Sequence, residues 1–157
     1  PSDSLIVEIT ENLLLKDAEL ARSRLAALRS VGVRVAVDDF GTGYSSFAYL
    51  DRYPVDILKI DRSFVGSLGG RPRAAVLVRS ILELASAFDL ETVAEGIEST
   101  EQLRTLRSLG CRFGQGFRFA VPRPADQITA MLESDSLAAM RDEPGETTES
   151  HPAMIMR

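Results

Sequence analysis

Cysteine, lysine and histidine are scarce in this sequence, and long hydrophobic runs are absent. The 157 residues contain one cysteine, Cys111, which excludes an internal disulfide and is typical of a reducing cytoplasm. No apolar stretch approaches the roughly 20 residues of a membrane-spanning helix, and nothing at the N-terminus resembles a signal peptide. We therefore expect a domain in the cytoplasm, or on the cytoplasmic face of a larger membrane protein.

Basic residues are outnumbered by acidic ones, and the formal net charge is −5 at pH 7. This balance argues against general binding of DNA or RNA, because such binding usually requires a basic face. Of the 18 basic residues, only Lys16 and Lys59 are lysines, and the others are arginines. Lys16 stands in a polar stretch, whereas Lys59 lies between apolar residues. A compact ammonium group in such surroundings indicates a role that the broad guanidinium fork of arginine would not fill.

Short apolar runs alternate with longer amphipathic segments along the chain. The short runs predict strands over residues 5–9, 33–37, 57–60, 92–95 and about 113–117. The longer segments predict helices over about 17–31, 45–50, 73–88, 99–109 and 124–133. Residues 134–157 are polar, acidic and without periodicity, so they are expected to be a disordered tail. The alternation predicts parallel strands joined by crossovers, either in an open doubly wound sheet or in part of a (β/α)8 barrel.

Polar side chains stand at or near the C-terminal end of every predicted strand. In chain order they are Glu8, Asp38 with Asp39, Lys59, Glu95 and Gln115. Because the carboxyl ends of parallel strands meet at one rim, where active sites form, we expect these side chains to converge. Converging carboxylates recruit a cation, and an all-oxygen set favours Mg²⁺ or Mn²⁺ over Zn²⁺. With a lysine on the same rim, the set suits metal-assisted hydrolysis of a phosphodiester.

Several of these residues also have an interpretation without catalysis. Glu8 can cap the helix that follows it, and Asp38-Asp39 can form an Asx turn ahead of the glycine-rich segment. Lys59 can be a buried ion-pair partner of Asp56 or Asp61. The residues alone leave these alternatives open.

Five ordered motifs carry a resemblance to a known family. They are Val-Glu-Ile-Thr-Glu at 7–11, Asp-Asp-Phe-Gly-Thr-Gly-Tyr-Ser-Ser at 38–46, Leu-Lys-Ile-Asp at 58–61, Val-Ala-Glu-Gly-Ile-Glu at 93–98 and Gly-Gln-Gly at 114–116. Over about residues 4–133 the chain resembles the EAL domains, bacterial phosphodiesterases that hydrolyse cyclic di-GMP to the linear dinucleotide. The resemblance implies a (β/α)8-type barrel with one antiparallel strand, Mg²⁺ or Mn²⁺ as cofactor, and cyclic di-GMP as ligand.

The resemblance also implies a role for each residue of the rim. Glu8 and Asp38 correspond to metal ligands, and Asp39 serves a second metal. Lys59 corresponds to the lysine that contacts the metal-bound water or the phosphate. Glu95 corresponds to a glutamate that acts either as general base or at the metal site, and this choice stays open.

Further residues are implied to support the reaction. Glu98 and Gln115 correspond to groups around the metal and the attacking water. A mobile loop, steadied by Glu11, is implied to couple substrate, metal and the contact of a homodimer. Its residues are Asp39, Phe40, Gly41, Thr42, Gly43, Tyr44, Ser45 and Ser46.

The Glu-Ala-Leu motif that names the family does not occur here. In the family its glutamate is a metal ligand well upstream of the position of Glu8, and an asparagine ligand is missing here as well. We therefore expect residues 1–133 to be the C-terminal part of a truncated EAL domain, with impaired or no activity in isolation. The alternative is an inactive remnant that binds cyclic di-GMP or a protein, and sensor or cyclase domains are expected upstream if the chain is a fragment. Unpaired edges of a partial barrel predict aggregation, edge pairing or marginal stability.

Overall fold

A computed structural model describes residues 4–10, 18–42, 50–70 and 72–133. Its strands are β1 (Ile6–Thr10), β2 (Arg34–Phe40), β3 (Ile57–Ile60), β4 (Glu91–Ala94) and β5 (Phe113–Gly114). Its helices are α1 (Ala18–Ser30), α2 (Arg62–Gly66), α3 (Pro72–Ala87), α4 (Thr100–Ser108) and α5 (Ala125–Glu133). No helix in these ranges is long and apolar enough to cross a membrane.

The five strands form one parallel sheet in which the spatial order is the chain order. A doubly wound sheet reverses its strand order at a switch point, whereas consecutive βα units of a barrel do not. The order β1 to β5 therefore fits part of a (β/α)8 barrel, and the predicted α/β class is confirmed. Within the described ranges β1 and β5 are the edges of this sheet, so edge pairing stays a prediction.

The two faces of the sheet differ in what covers them. Side chains alternate along each strand, and the face of Val35, Val37 and Leu58 packs against the helices in one large apolar core. The opposite face holds a smaller layer to which each strand gives one residue: Ile6, Ala36, Ile57, Val93 and Phe113. Helices on one face and a layer of strand residues on the other are typical of the wall and the interior of a barrel.

Several predicted boundaries shift in the structure. β2 continues to Phe40, β4 ends one residue before Glu95, and β5 has only two residues. The loop expected between β3 and the next helix contains the short helix α2, because the carboxylate of Asp61 caps it by accepting from the backbone N–H of Ser63 at 2.9 Å. Leu50 lies in a turn, while the rest of the helix predicted over 45–50 lies outside the described residues, as does the tail at 134–157.

An ion pair joins two strands at the end of the sheet opposite the rim. Nη2 of Arg34, the first residue of β2, lies 2.9 Å from Oε2 of Glu91, the first residue of β4. Because β3 lies between β2 and β4, this contact bridges strands that share no backbone hydrogen bonds. The two side chains are 24% and 37% exposed, so solvent screens the pair only in part.

Replacing Arg34 by Met is expected to lower the free energy of unfolding by about 1 kcal/mol, since it leaves the half-buried Glu91 carboxylate without this cation. Urea unfolding followed by circular dichroism measures the change. Arg22→Met is the matched control, because the pair between Arg22 and Glu19 is 59% and 85% exposed and should contribute almost nothing. Equal effects of the two substitutions would contradict a stabilising role for the bridge.

Candidate functional site

The end of β2 presents two consecutive carboxylates to the rim because the strand is irregular there. The pairing of β2 with β3 shifts register between Val37 and Phe40, which is where Asp38 and Asp39 lie. Asp39 adopts a left-handed backbone conformation with φ of +54°, and its carbonyl accepts from the hydroxyl of Thr42 at 2.8 Å. Successive side chains of a regular strand point to opposite faces, and such a bulge re-aims one of them. The irregularity therefore allows Asp38 and Asp39 to serve one site.

Lys59 lies on β3 with its ammonium among carboxylates from three other segments. Its Nζ contacts Oε2 of Glu8 at 2.7 Å, Oδ1 of Asp38 at 3.0 Å and Oε1 of Glu95 at 2.7 Å. Glu8 belongs to β1, Asp38 to β2, and Glu95 directly follows β4. The Lys59 side chain is only 7% exposed, so these ion pairs are poorly screened by solvent.

The carboxylates closest to Lys59 in sequence have other partners. Asp56 accepts from the backbone N–H of Val35 at 2.8 Å and pairs with Arg29 at 3.0 Å, whereas Asp61 caps α2. The interpretation of Lys59 as the partner of Asp56 or Asp61 is therefore wrong.

Polar residues stand at or near the carboxyl ends of the strands. We call Glu8, Asp38, Asp39, Lys59, Glu95 and Gln115 the rim cluster.

Gln115 reaches Glu95 because the backbone around it approaches the loop after β4 very closely. Its Nε2 donates to Oε1 of Glu95 at 2.7 Å, and its carbonyl accepts from the N–H of Ile97 at 3.1 Å. A Cβ at Gly116 would collide with the backbone N, C and O of Ile97. Only glycine permits this approach, so Gly116 is a positioning residue that the sequence reasoning missed, although Gly-Gln-Gly was its signal.

The electrostatics of the cluster shift two pKa values. Burial raises the pKa of Glu95 and, although Lys59 opposes this, the charges of Asp38 and Glu8 add to the increase. Burial alone would lower the pKa of Lys59, but the contacts of its ammonium with the carboxylates of Glu8, Glu95 and Asp38 outweigh it and hold this pKa above its ordinary value. Lys59 is thus a permanent cation near neutral pH, and Glu95 is a stronger proton acceptor than an exposed glutamate.

The donor set of the rim cluster fits a divalent metal. Asp38, Asp39 and Glu95 each offer a carboxylate oxygen, and these oxygens lie within 4.8 Å of one another. Oδ1 of Asp38 is buried and meets Lys59 outside hydrogen-bond geometry, so it retains acceptor capacity. The rim cluster contains four carboxylates and one ammonium, and the surplus negative charge on hard oxygen donors suits Mg²⁺ or Mn²⁺.

Other residues expected at the site are placed differently. Glu98 is exposed, is not a member of the metal-ligand group, and its backbone N–H donates to Oε1 of Gln102 at 2.8 Å. Phe40 is buried in the helix-side core, and Gly41, with φ of +90°, lies against the ring of Phe64. The expected residues that lie outside the described ranges are Glu11, Gly43, Tyr44, Ser45 and Ser46.

Sequence comparison relates the chain to known proteins. The family model described as the EAL domain matches residues 1–122, which include every member of the rim cluster. The uncharacterised protein Mb1389c of Mycobacterium bovis is 44% identical over 136 residues, which are 87% of this chain and 22% of that protein. The probable cyclic di-GMP phosphodiesterase PdeN of Escherichia coli is 42% identical over 129 residues, which are 82% of this chain and 25% of that protein. The chain thus spans a quarter or less of the length of these relatives.

Solved structures resemble the same part of the molecule. The EAL domain of Mycobacterium smegmatis DcpA superposes with a TM-score of 0.81 and 45% identity, covering 85% of this chain and 60% of that chain. Klebsiella pneumoniae BlrP1, in a manganese and cyclic di-GMP complex, gives a TM-score of 0.72 and 34% identity, covering 77% of this chain and 31% of that chain.

Proposed function

This chain belongs to the EAL domain family, and we propose that its rim cluster carries out metal-dependent hydrolysis of cyclic di-GMP to the linear dinucleotide. The observation that carries the proposal is the convergence of Glu8, Asp38 and Glu95 on Lys59. It is supported by the relative named as a probable cyclic di-GMP phosphodiesterase and by the similar structure in complex with manganese and this dinucleotide.

The metal ligands of the proposal are Glu8 and Asp38 for one Mg²⁺ or Mn²⁺, and Asp39 for a second. The buried oxygen of Asp38 and its closeness to Asp39 and Glu95 support this assignment. Such a metal pair, when bound, activates water and stabilises the leaving oxygen of a phosphodiester.

The other members of the cluster handle protons and charge. Glu95 accepts the proton of the attacking water, a role supported by its raised pKa, or it completes the metal site, a role supported by its closeness to Asp38 and Asp39. Lys59 stabilises the negative charge that develops on the phosphate. Gln115 orients the carboxylate of Glu95 through the hydrogen bond at 2.7 Å. The supporting role of Glu98 stays a prediction.

Incubation of the chain with cyclic di-GMP tests the proposal. We expect linear dinucleotide to form in Mn²⁺ and not in a chelator, with the product identified by chromatography and mass spectrometry. The rate is expected to be low, because the Glu-Ala-Leu glutamate and the asparagine ligand are not in the sequence. Binding of cyclic di-GMP in calorimetry without any product would contradict hydrolysis and favour a binding module.

The family likeness motivates four further proposals about the whole protein. These are the C-terminal part of an EAL domain over residues 1–133 followed by a disordered tail, a homodimer, upstream sensor or cyclase domains, and a location in the bacterial cytoplasm or on the cytoplasmic face of a larger membrane protein. Each stays a prediction, and the hydrolysis assay does not depend on any of them.

A further inference from the structure

We propose that Lys59 is the internal counter-ion of the rim cluster, and that a divalent cation binds there in competition with its ammonium group. The inference rests on the metal part of the proposed function. It adds a second task to Lys59, which holds the carboxylates together whenever no metal neutralises them.

The ammonium of Lys59 lies among three carboxylates that it can partly neutralise. An ammonium has three N–H donors and no acceptor. Three carboxylates lie within 3.0 Å of Nζ, and they belong to Glu8, Asp38 and Glu95. Nζ of Lys59 therefore has three charged partners, and the ammonium links β3 to β1, β2 and the end of β4.

The carboxylates need such a cation to remain together. Like charges at this spacing repel strongly in a poorly solvated site, and uncompensated acids would take up protons or move apart. Within the described residues, Lys59 is the one positively charged side chain with a recorded ion pair to Glu8, Asp38 or Glu95. In the chain without a bound metal, the close approach of these carboxylates thus depends on Lys59.

The same carboxylates are the proposed ligands of the metal. Asp38 and Glu95 belong both to the contacts of Lys59 and to the group that can hold a metal ion. A divalent cation a few ångströms from an ammonium is repelled by it, and the two cations share a limited set of oxygen lone pairs. Metal binding must therefore weaken at least part of the Lys59 contacts.

This competition predicts opposite effects on stability and on metal affinity. Without Lys59 the metal-free chain should lose stability, because its carboxylates lose their counter-ion. Its affinity for a divalent cation should rise. A residue that only maintained the fold would lower both quantities. An arginine at this position would keep the charge, but its planar fork would fill the space that the cation requires.

The scarcity of lysine allows a direct measurement on the unaltered chain. Labelling with ¹⁵N-lysine gives two side-chain signals, and Lys16→Arg assigns them. We expect the Lys59 ammonium to exchange its protons slowly in the metal-free chain, since it is buried and paired with three carboxylates, and its signal to shift on titration with Mg²⁺. Rapid exchange of the Lys59 ammonium protons with solvent in the metal-free chain would overturn the counter-ion role.

Calorimetric titration with Mn²⁺ tests the competition. In chelator, the midpoint of thermal unfolding of Lys59→Met should lie several degrees below that of the unaltered chain. In calorimetry, the same variant should bind Mn²⁺ at least about tenfold more tightly. The matched control is Arg34→Met, which removes a partly buried cation at the opposite end of the sheet and should lower stability without changing the Mn²⁺ affinity. If Lys59→Met fails to fold, the ¹⁵N-lysine titration of the unaltered chain decides: competition predicts faster exchange of the Lys59 ammonium protons in saturating Mg²⁺, and unchanged slow exchange would overturn it.

The outcomes separate this inference from the proposed function. Unchanged or weaker Mn²⁺ binding by Lys59→Met, with Mn²⁺ bound by the unaltered chain, would overturn the competition and leave metal-dependent hydrolysis standing. Absence of Mn²⁺ binding to both chains would overturn the competition and the metal dependence together.

Discussion

Turnover of cyclic di-GMP is expected to fall at least about a thousandfold when Glu95 is replaced by Gln. The substitution preserves the shape of the side chain, and its amide oxygen can still accept from Lys59 and Gln115. It removes the negative charge that a metal ligand would supply and the capacity to take a proton that a general base would need. The rate of linear dinucleotide formation in saturating Mn²⁺ measures the loss.

Glu83→Gln provides the control for this substitution, because Glu83 is exposed on α3 and the same change there should leave the rate within about twofold. If Glu95→Gln retained more than about a tenth of the hydrolysis rate of the unaltered chain, a central role of Glu95 in hydrolysis would be ruled out. Mn²⁺ calorimetry on Glu95→Gln then decides whether Glu95 is a general base or a metal ligand. Nearly unchanged affinity indicates a general base, whereas a loss of tenfold or more, about the effect of removing one ligand, indicates a metal ligand.

Replacing Asp38 by Asn should weaken Mn²⁺ binding by about a hundredfold. Asp38 is the member of the cluster that both contacts Lys59 and offers a buried oxygen to a metal. An amide keeps the volume but removes one of the charges that attract the ion. Calorimetry in the absence of cyclic di-GMP measures this loss independently of catalysis.

Asp51→Asn is the appropriate comparison, since it makes the same change in net charge at an exposed residue outside the rim cluster. Its Mn²⁺ affinity should equal that of the unaltered chain. A similar loss in both variants would indicate that Mn²⁺ binds through the general negative charge of the protein, and the assignment of Asp38 would then be wrong.

The convergence of polar residues at the rim follows from rules that a sequence can use. Parallel strands place their carboxyl ends together, so a polar residue after each apolar run predicts a shared site. The isolation of Lys59 among apolar residues indicated a specific role, and the structure accounts for it with three ion pairs. The apolar runs also predicted the strands, because burial on both faces of a parallel sheet requires them.

Contacts through space could not be predicted in this way. The alternative interpretation paired Lys59 with Asp56 or Asp61, its neighbours in sequence, whereas its actual partners come from other strands. Regular strand periodicity also gives no indication of the register shift at Asp38 and Asp39, which depends on the pairing with β3. Glu98 lies only three residues beyond Glu95, but the chain turns at Gly96, with φ of +67°, and Glu98 is left outside the metal-ligand group.

The contact of Gly116 with Ile97 has a consequence for how such domains change during evolution. A side chain at position 116 would push the two segments apart and separate Gln115 from Glu95, and it would also disturb the helix-side core, because Ile97 is fully buried there. One missense change would therefore break the contact between Gln115 and Glu95 and lower the stability of the fold, even though every acidic residue of the rim cluster is retained. Position 116 is accordingly constrained both by the proposed site and by the core, so we expect it to remain glycine in descendants of this chain.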